Sequence, residues 1–366
     1  MASRKSKPRG TRYHHYILRE DEHPGGLLAL QTPYGKGKRA HFDEHLFIIT
    51  HQAFELWFNQ IIEDLLREGT GAIARIEAGA WGPAAKQVRR LTKIARLLSD
   101  QYGIMGTLSP SDFLVFRDML TPSSGYDSAQ FRALELSSGL RGDGAYLRHV
   151  TGLDADREGG PAELARKVDQ VLEALEEGRP SPLKDYSIVL KLAGQGDTNG
   201  LRSIRRSLGN PSLRDAAYGA IMEADVPEPP WPKGAVAKWE RARASEWEAG
   251  RKEAIAAHGS YEVGLDGARA AKIQSRVVSL YHSVTNGDAR SAKAWALLDL
   301  LEALIEYDEA FRNLRAIHIN MVLRVIGGKP GTGGSTGARY LRSTLGYEFF
   351  PLLWRARDHM EGPVSP

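Results

Sequence analysis

The chain has 366 residues, 42% of them apolar, which is enough for one large domain or two small ones. Its 49 basic and 45 acidic residues leave a net charge of only +4, so composition does not favour a nucleic-acid partner. The absence of cysteine excludes disulfides, iron–sulfur clusters and thiolate ligands, so any metal must bind to His, Asp, Glu or Tyr.

The chain begins with a basic, polar segment that lacks the apolar run of a secretory signal. We interpret residues 1–12 as a disordered basic tail and expect a cytoplasmic protein. No stretch of about 18 uncharged apolar residues follows, so we expect no membrane span.

Apolar residues repeat with a period near 3.6, and period-2 alternation is almost absent, which predicts an all-α protein. We expect helices, in chain order, at residues 43–67, 83–102, 110–120, 127–139, 161–177, 234–257, 267–284 and 291–326. Residues 141–284 are charged and weakly patterned, so we interpret them as a peripheral, mainly helical insertion. Residues 13–140 and 285–366 would then form the core.

The first predicted helix follows Asp43, a candidate N-cap, and carries an apolar stripe that includes Phe47 and Phe54. His51 replaces an apolar residue on that stripe, one turn after Phe47. Two interpretations stay open at this point. His51 is either a core histidine satisfied by a buried hydrogen bond or a histidine that faces a ligand pocket.

The helix predicted at 110–120 has a strong start, with Ser109 as N-cap and Pro110 at its first position. Arg117 lies one turn after Phe113, on the face that carries the phenylalanines. Such an arginine usually extends to solvent or pairs with a carboxylate. In a pocket, its guanidinium is suited to binding a ligand carboxylate through two hydrogen bonds.

The longest predicted helix, 291–326, carries a second histidine, His318, on an otherwise apolar face. A neutral imidazole on a rigid helix suits an axial metal ligand, although a core histidine is again the alternative.

The helix stops at the glycine-rich segment 327–337. This segment lacks the order of a phosphate-binding P-loop and follows a helix rather than a strand. It is typical of a lid over a small molecule, with hydroxyls at Thr332 and Ser335, or of a flexible surface loop.

Several segments, taken in order, resemble motifs of the tryptophan 2,3-dioxygenase family. The most specific are HFDEHLFIITHQAFELWF at 41–58, LSPSDFLVFR at 108–117 and RAIHINMVLRVIG at 315–327. Shorter similarities occur at 13–16, 27–31, 124–125, 331–337 and 340–345.

The resemblance implies a helical fold that binds a b-type haem and cleaves the indole C2–C3 bond of L-tryptophan with O2, giving N-formylkynurenine. It implies that His318 is the proximal iron ligand and that His51 is a catalytic distal residue near the indole N–H. Phe47 and Phe113 would form the indole wall, and Arg117 would bind the substrate carboxylate.

The remaining site residues also follow from the resemblance. Thr332 would meet the carboxylate or ammonium of the substrate. The family is typically a homotetramer with intertwined N-termini, in which Tyr13 and Tyr16 would reach into a neighbouring subunit's site. Further contacts to substrate or haem are assigned to Ser124, Gly125 and Met321.

Departures from the family pattern leave alternatives open. Tyr126 and Asp127 follow Gly125 where the family commonly has Phe-Gln, and the stretch between Tyr16 and His41 is longer than usual. One alternative is a haem-dependent aromatic monooxygenase that inserts a single oxygen into a tryptophan derivative or tyrosine. The others are a non-catalytic haem sensor, which would need neither a carboxylate clamp nor a lid, and a plain helical scaffold.

Overall fold

The computed structural model describes residues 26–33, 41–120, 128–151, 160–179, 188–226, 231–258, 265–285, 292–332 and 336–360. Within these ranges the protein is helical and contains no β-strand, which confirms the all-α prediction. No helix among these residues is long and apolar enough to cross a membrane.

The α-helices of the described ranges, in chain order, are α1 Phe42–Leu66, α2 Ala72–Glu77, α3 Trp81–Met105, α4 Pro110–Phe116, α5 Ala129–Ser138, α6 Gly144–Thr151, α7 Pro161–Glu176, α8 Ile188–Gly194, α9 Thr198–Gly209, α10 Leu213–Glu223, α11 Ala235–His258, α12 Gly267–Thr285, α13 Ala292–Ile326, α14 Ala338–Ser343 and α15 Pro351–Arg357. Short 3-10 helices occur at Gly26–Leu30, Arg117–Leu120, Leu140–Gly142 and Thr344–Gly346.

All eight predicted helices are present, and most begin and end within about two residues of the expected positions. The helix predicted at 110–120 changes at Arg117 from α-helix to a 3-10 turn. Ser109 caps its start as expected, accepting a hydrogen bond from the N–H of Asp112 at 3.1 Å.

The predicted N-cap of the first helix was wrong. The helix begins at Phe42, and His41 is the N-cap: its Nδ1 accepts from the backbone N–H of Asp43 at 3.2 Å. Asp43 instead lies in the first turn, where its negative charge complements the positive end of the helix dipole. His41 also lies 3.5 Å from a carboxylate oxygen of Asp112, which connects the starts of α1 and α4.

The site lies among α1, α3, α4, α5 and α13. The long helix α13 packs along α3, and α1 packs against both α3 and α5. α9 packs on α5 and α7, while α11 pairs with α12, which reaches α15. Buried residues of the middle of the chain, such as Ile204, belong to the same hydrophobic cluster as Phe58 and Leu301. The boundaries of the proposed insertion at 141 and 284 stay a prediction.

Asp308 joins α13 to the segment that leads into α15. It is fully buried and accepts three hydrogen bonds, from the backbone N–H groups of Phe349 and Phe350 and from Nε1 of Trp354, each at 3.0 Å. A buried carboxylate with three donors stabilises the fold because each donor would otherwise be buried without an acceptor.

We expect Asp308→Ala to lower the free energy of unfolding by about 2 kcal/mol, because it leaves buried donors unpaired. Urea unfolding followed by circular dichroism measures this loss. The neighbouring Glu309 is exposed, so Glu309→Ala is the matched control and should change stability by less than about 0.5 kcal/mol. Equal effects of the two substitutions would contradict the role given to Asp308.

Candidate functional site

Helices α1, α3, α4, α5 and α13 enclose a cavity of about 240 Å³ that is mainly apolar. Gly331, Thr332, Gly337 and residues of α14 line one side of it. The residues predicted from sequence that line this cavity are Phe47, His51, Phe113, Arg117, His318, Met321 and Thr332. The remaining predicted residues lie outside the described residues: Tyr13, Tyr16, Ser124, Gly125 and Ser335. The structure therefore places these seven predicted residues around one cavity. The roles given to them stay predictions.

His51 has a defined hydrogen-bonding state. Its Nδ1 lies 2.8 Å from the carbonyl oxygen of Phe47, and since a carbonyl only accepts, Nδ1 carries the proton. In the neutral ring Nε2 is then the acceptor. Burial lowers the pKa of His51 below its usual 6.5, so the ring is neutral at pH 7. His51 thus combines the two interpretations, because one nitrogen is satisfied internally while the ring faces the cavity.

His318 lies on α13 with its imidazole stacked flat against the ring of Tyr102. The ring centroids are 4.4 Å apart and the planes are inclined by 7°. Burial lowers the pKa of His318 to about 4, with smaller contributions from Arg132 and, once it is protonated, from His51. The imidazole is therefore neutral at pH 7 and has a nitrogen lone pair that can bind a metal.

Arg117 connects α4 to the glycine-rich segment. One Nη donates a hydrogen bond to the carbonyl oxygen of Pro330. Its Nε is buried and finds no hydrogen-bond partner among the residues that the structure describes. A buried unpaired donor is unfavourable, and a ligand carboxylate in the cavity would satisfy it.

Sequence reasoning missed a buried charged network on the cavity wall. Glu135 forms an ion pair with Arg132 at 2.9 Å and accepts hydrogen bonds from Arg315 at 3.1 Å and from the hydroxyl of Tyr146 at 2.7 Å. Two guanidinium groups share this one carboxylate, so the three charged side chains together carry one positive charge. The available signal was an arginine and a glutamate on otherwise apolar faces of α5, but the sequence does not show that such charges are buried.

His149 does not line the cavity but contacts a residue that does. Its Nε2 lies 3.3 Å from the hydroxyl of Tyr340. Burial, with a smaller contribution from Arg132, lowers the pKa of His149 to about 4 from 6.5. Between pH 4 and pH 6.5, His149 is protonated in the unfolded chain but not in the folded protein. Lowering the pH through this window therefore favours unfolding, and the stability that neutral His149 preserves is fully present only above about pH 6.5.

We expect His149→Gln to lose less stability than the wild type as the pH falls from 6.5 to 4. The difference is at most about 1.4 kcal/mol per pH unit, because a single proton is involved. Urea titrations of both proteins at pH 7 and pH 5 measure it, and carboxylates common to both cancel. Identical pH dependence of the two proteins would show that His149 takes up its proton equally in both states.

Comparison with known proteins is consistent with the sequence motifs. The model of the family described as tryptophan 2,3-dioxygenase matches residues 1–177 and 279–360, which include all residues that line the cavity. The tryptophan 2,3-dioxygenase of Nocardioides sp. is 30% identical over 87% of this chain and 85% of its own. That of Anaeromyxobacter dehalogenans is 30% identical over 90% and 91%, and that of Bacillus thuringiensis strain Al Hakam is 27% identical over 94% and 95%.

Proposed function

The chain belongs to the tryptophan 2,3-dioxygenase family, and from that premise we propose that it is a haem-dependent oxygenase. Its reaction is the cleavage of the indole C2–C3 bond of L-tryptophan by O2, which gives N-formylkynurenine with both oxygen atoms incorporated. The observation that supports this most is one apolar cavity lined by two neutral histidines and by an arginine with an unused donor. The relatives compared above are all named dioxygenases, and nothing in the cavity favours the monooxygenase or the sensor.

The chemistry of the side chains that line the cavity suits a haem. His318 offers a neutral imidazole on a rigid helix, and the chain has no cysteine that could replace it. The positively charged network of Arg132, Glu135 and Arg315 complements the acidic substituents of a haem, and Nε of Arg315 is buried without a partner in the described part of the chain. Bound through His318, with Met321 on the same helix, ferrous haem would supply the binding and activation of O2.

The remaining side chains orient the substrate. The rings of Phe47 and Phe113 lie 5.9 Å apart and provide apolar contact for an indole. Arg117 binds the carboxylate, and Thr332 lies on the same cavity. Since Nδ1 of His51 donates to a carbonyl, Nε2 accepts from the indole N–H. Positioning of the indole, rather than proton transfer, is the main contribution of these residues.

The other assignments rest on the family alone. We propose that Ser124 and Gly125 bring backbone groups to the substrate and that Gly125 also contacts the haem. We also propose a cytoplasmic homotetramer in which Tyr13 and Tyr16 enter a neighbouring site.

The direct test supplies reduced, haem-loaded protein with L-tryptophan and isotopically labelled O2, followed by mass spectrometry of the product. We expect N-formylkynurenine with both oxygen atoms labelled. A hydroxylated or oxindole product with one labelled atom would contradict the proposal and identify a monooxygenase.

We expect His51→Ala to retain haem and to lower kcat about 10-fold, because it removes one hydrogen bond to the indole N–H. Absorbance spectra and steady-state rates measure the two effects separately. Loss of haem together with activity would instead show that His51 is a second iron ligand, which would leave no iron position open to O2.

A further inference from the structure

A second cavity, of about 540 Å³, lies between α11 and the C-terminal residues 346–359. None of its lining residues lines the first cavity. The family model matches residues 1–177 and 279–360, so α11 falls outside the matched stretches. The volume is within the range of small-molecule sites, roughly 300–1,000 Å³. This cavity is therefore formed partly by a segment that the family pattern does not explain.

Two lining side chains on α11 present buried donors. Nε of Arg243 and Nε1 of Trp247 find no hydrogen-bond partner among the described residues. The two residues are four apart on one helix, so they lie on the same face. Buried N–H groups are normally paired, and an acceptor atom inside the cavity would satisfy both.

Four arginines and four carboxylates line the cavity. Arg355 lies over the ring of Trp247, with its guanidinium carbon 4.8 Å from the ring centroid. The guanidinium groups that line the cavity belong to Arg214, Arg243, Arg251 and Arg355.

Each carboxylate that lines the cavity either contacts a donor of the protein or is exposed to solvent. Glu246 accepts a hydrogen bond from Arg243, and Glu348 lies 3.6 Å from an arginine of α13 that is not part of the lining. Asp143 accepts from a backbone N–H at the start of α6, and Asp358 is exposed. None of these contacts satisfies Nε of Arg243 or Nε1 of Trp247, which stay without an acceptor among the described residues.

We propose that this cavity binds a small organic anion whose carboxylate or phosphate oxygens accept hydrogen bonds from Arg243 and Trp247. Nitrogen donors on a rigid helix face, with arginines around them, are the groups that recognise such oxygens.

The binding test is isothermal titration calorimetry of the full-length, haem-loaded protein with citrate and, separately, with pyrophosphate at constant ionic strength. We expect saturable binding of at least one, and the anion that binds tells a carboxylate site from a phosphate site. Saturable binding of neither anion would overturn the proposal.

The tryptophan pair on α11 provides a matched comparison. Trp247→Phe keeps the aromatic ring but removes the N–H, so we expect about 5–10-fold weaker binding. Trp239 lies on the same helix, packs on Trp231 and His359, and is not part of the lining. Trp239→Phe should therefore leave the affinity unchanged.

Gly250 permits a second test that leaves every donor in place. It lines the cavity on α11, and a Cβ added there would meet no atom within 4 Å. Gly250→Leu should narrow the cavity and weaken binding, while the helix gains stability because glycine is a poor helix former. Unchanged affinity in both Gly250→Leu and Trp247→Phe would place any bound anion elsewhere and overturn the proposal.

Discussion

Replacing His318 by alanine should abolish stoichiometric haem binding. His318 is held on α13 against Tyr102, and its low pKa keeps the nitrogen lone pair free at neutral pH. The chain has no cysteine to replace it, and in our proposal the Nε2 of His51 accepts from the indole N–H instead of binding iron. The Soret band and the haem-to-protein ratio after reconstitution measure the effect.

His51→Ala is the matched control for this experiment, since it removes the other histidine of the same cavity and should retain haem. A His318→Ala protein with the haem content of the wild type would show that the proximal assignment is wrong. Circular dichroism of the apo protein verifies that the variant is folded.

Replacing Arg117 by leucine should weaken the binding of L-tryptophan far more than the binding of tryptamine, which has no carboxylate. A charge-assisted hydrogen bond is worth roughly 1.5–3 kcal/mol, which corresponds to a loss of about 10–150-fold in affinity for tryptophan alone. Equilibrium titration of both ligands into the ferric protein provides the comparison.

Arg117→Lys keeps the positive charge but loses the planar pair of donors, so we expect an intermediate loss for tryptophan. Equal losses for tryptophan and tryptamine in Arg117→Leu would contradict the carboxylate role and indicate a general collapse of the cavity.

The long helices could be predicted because periodicity accumulates over many turns. The 35 residues of α13 repeat their apolar pattern often enough to fix both ends, with glycine following Ile326. By contrast, α2 and α14 have six residues each, fewer than two turns, so no period is detectable. The cap at His41 was missed because histidine is an unusual capping residue.

The apolar wall and the histidines of the site could also be predicted, because each interrupts a pattern within its own helix. The charged network around Glu135 could not be predicted from the sequence. Its partner Arg315 is 180 positions away in the chain, and only tertiary packing brings the two charges together. Arg117 was predicted as a ligand contact, but its bond to Pro330 depends on how the glycine-rich segment folds back.

That bond between Arg117 and Pro330 spans 213 positions of the sequence and connects the proposed carboxylate contact to Pro330 in the glycine-rich segment. The two are therefore thermodynamically linked, and the linkage is reciprocal. If Arg117 binds a carboxylate, as we propose, a carboxylate that strengthens its bond to Pro330 also holds Pro330 in place, and one that displaces Pro330 releases it. We therefore expect substitutions next to Pro330 to alter affinity for carboxylate ligands without touching them, and to leave affinity for ligands without a carboxylate unchanged.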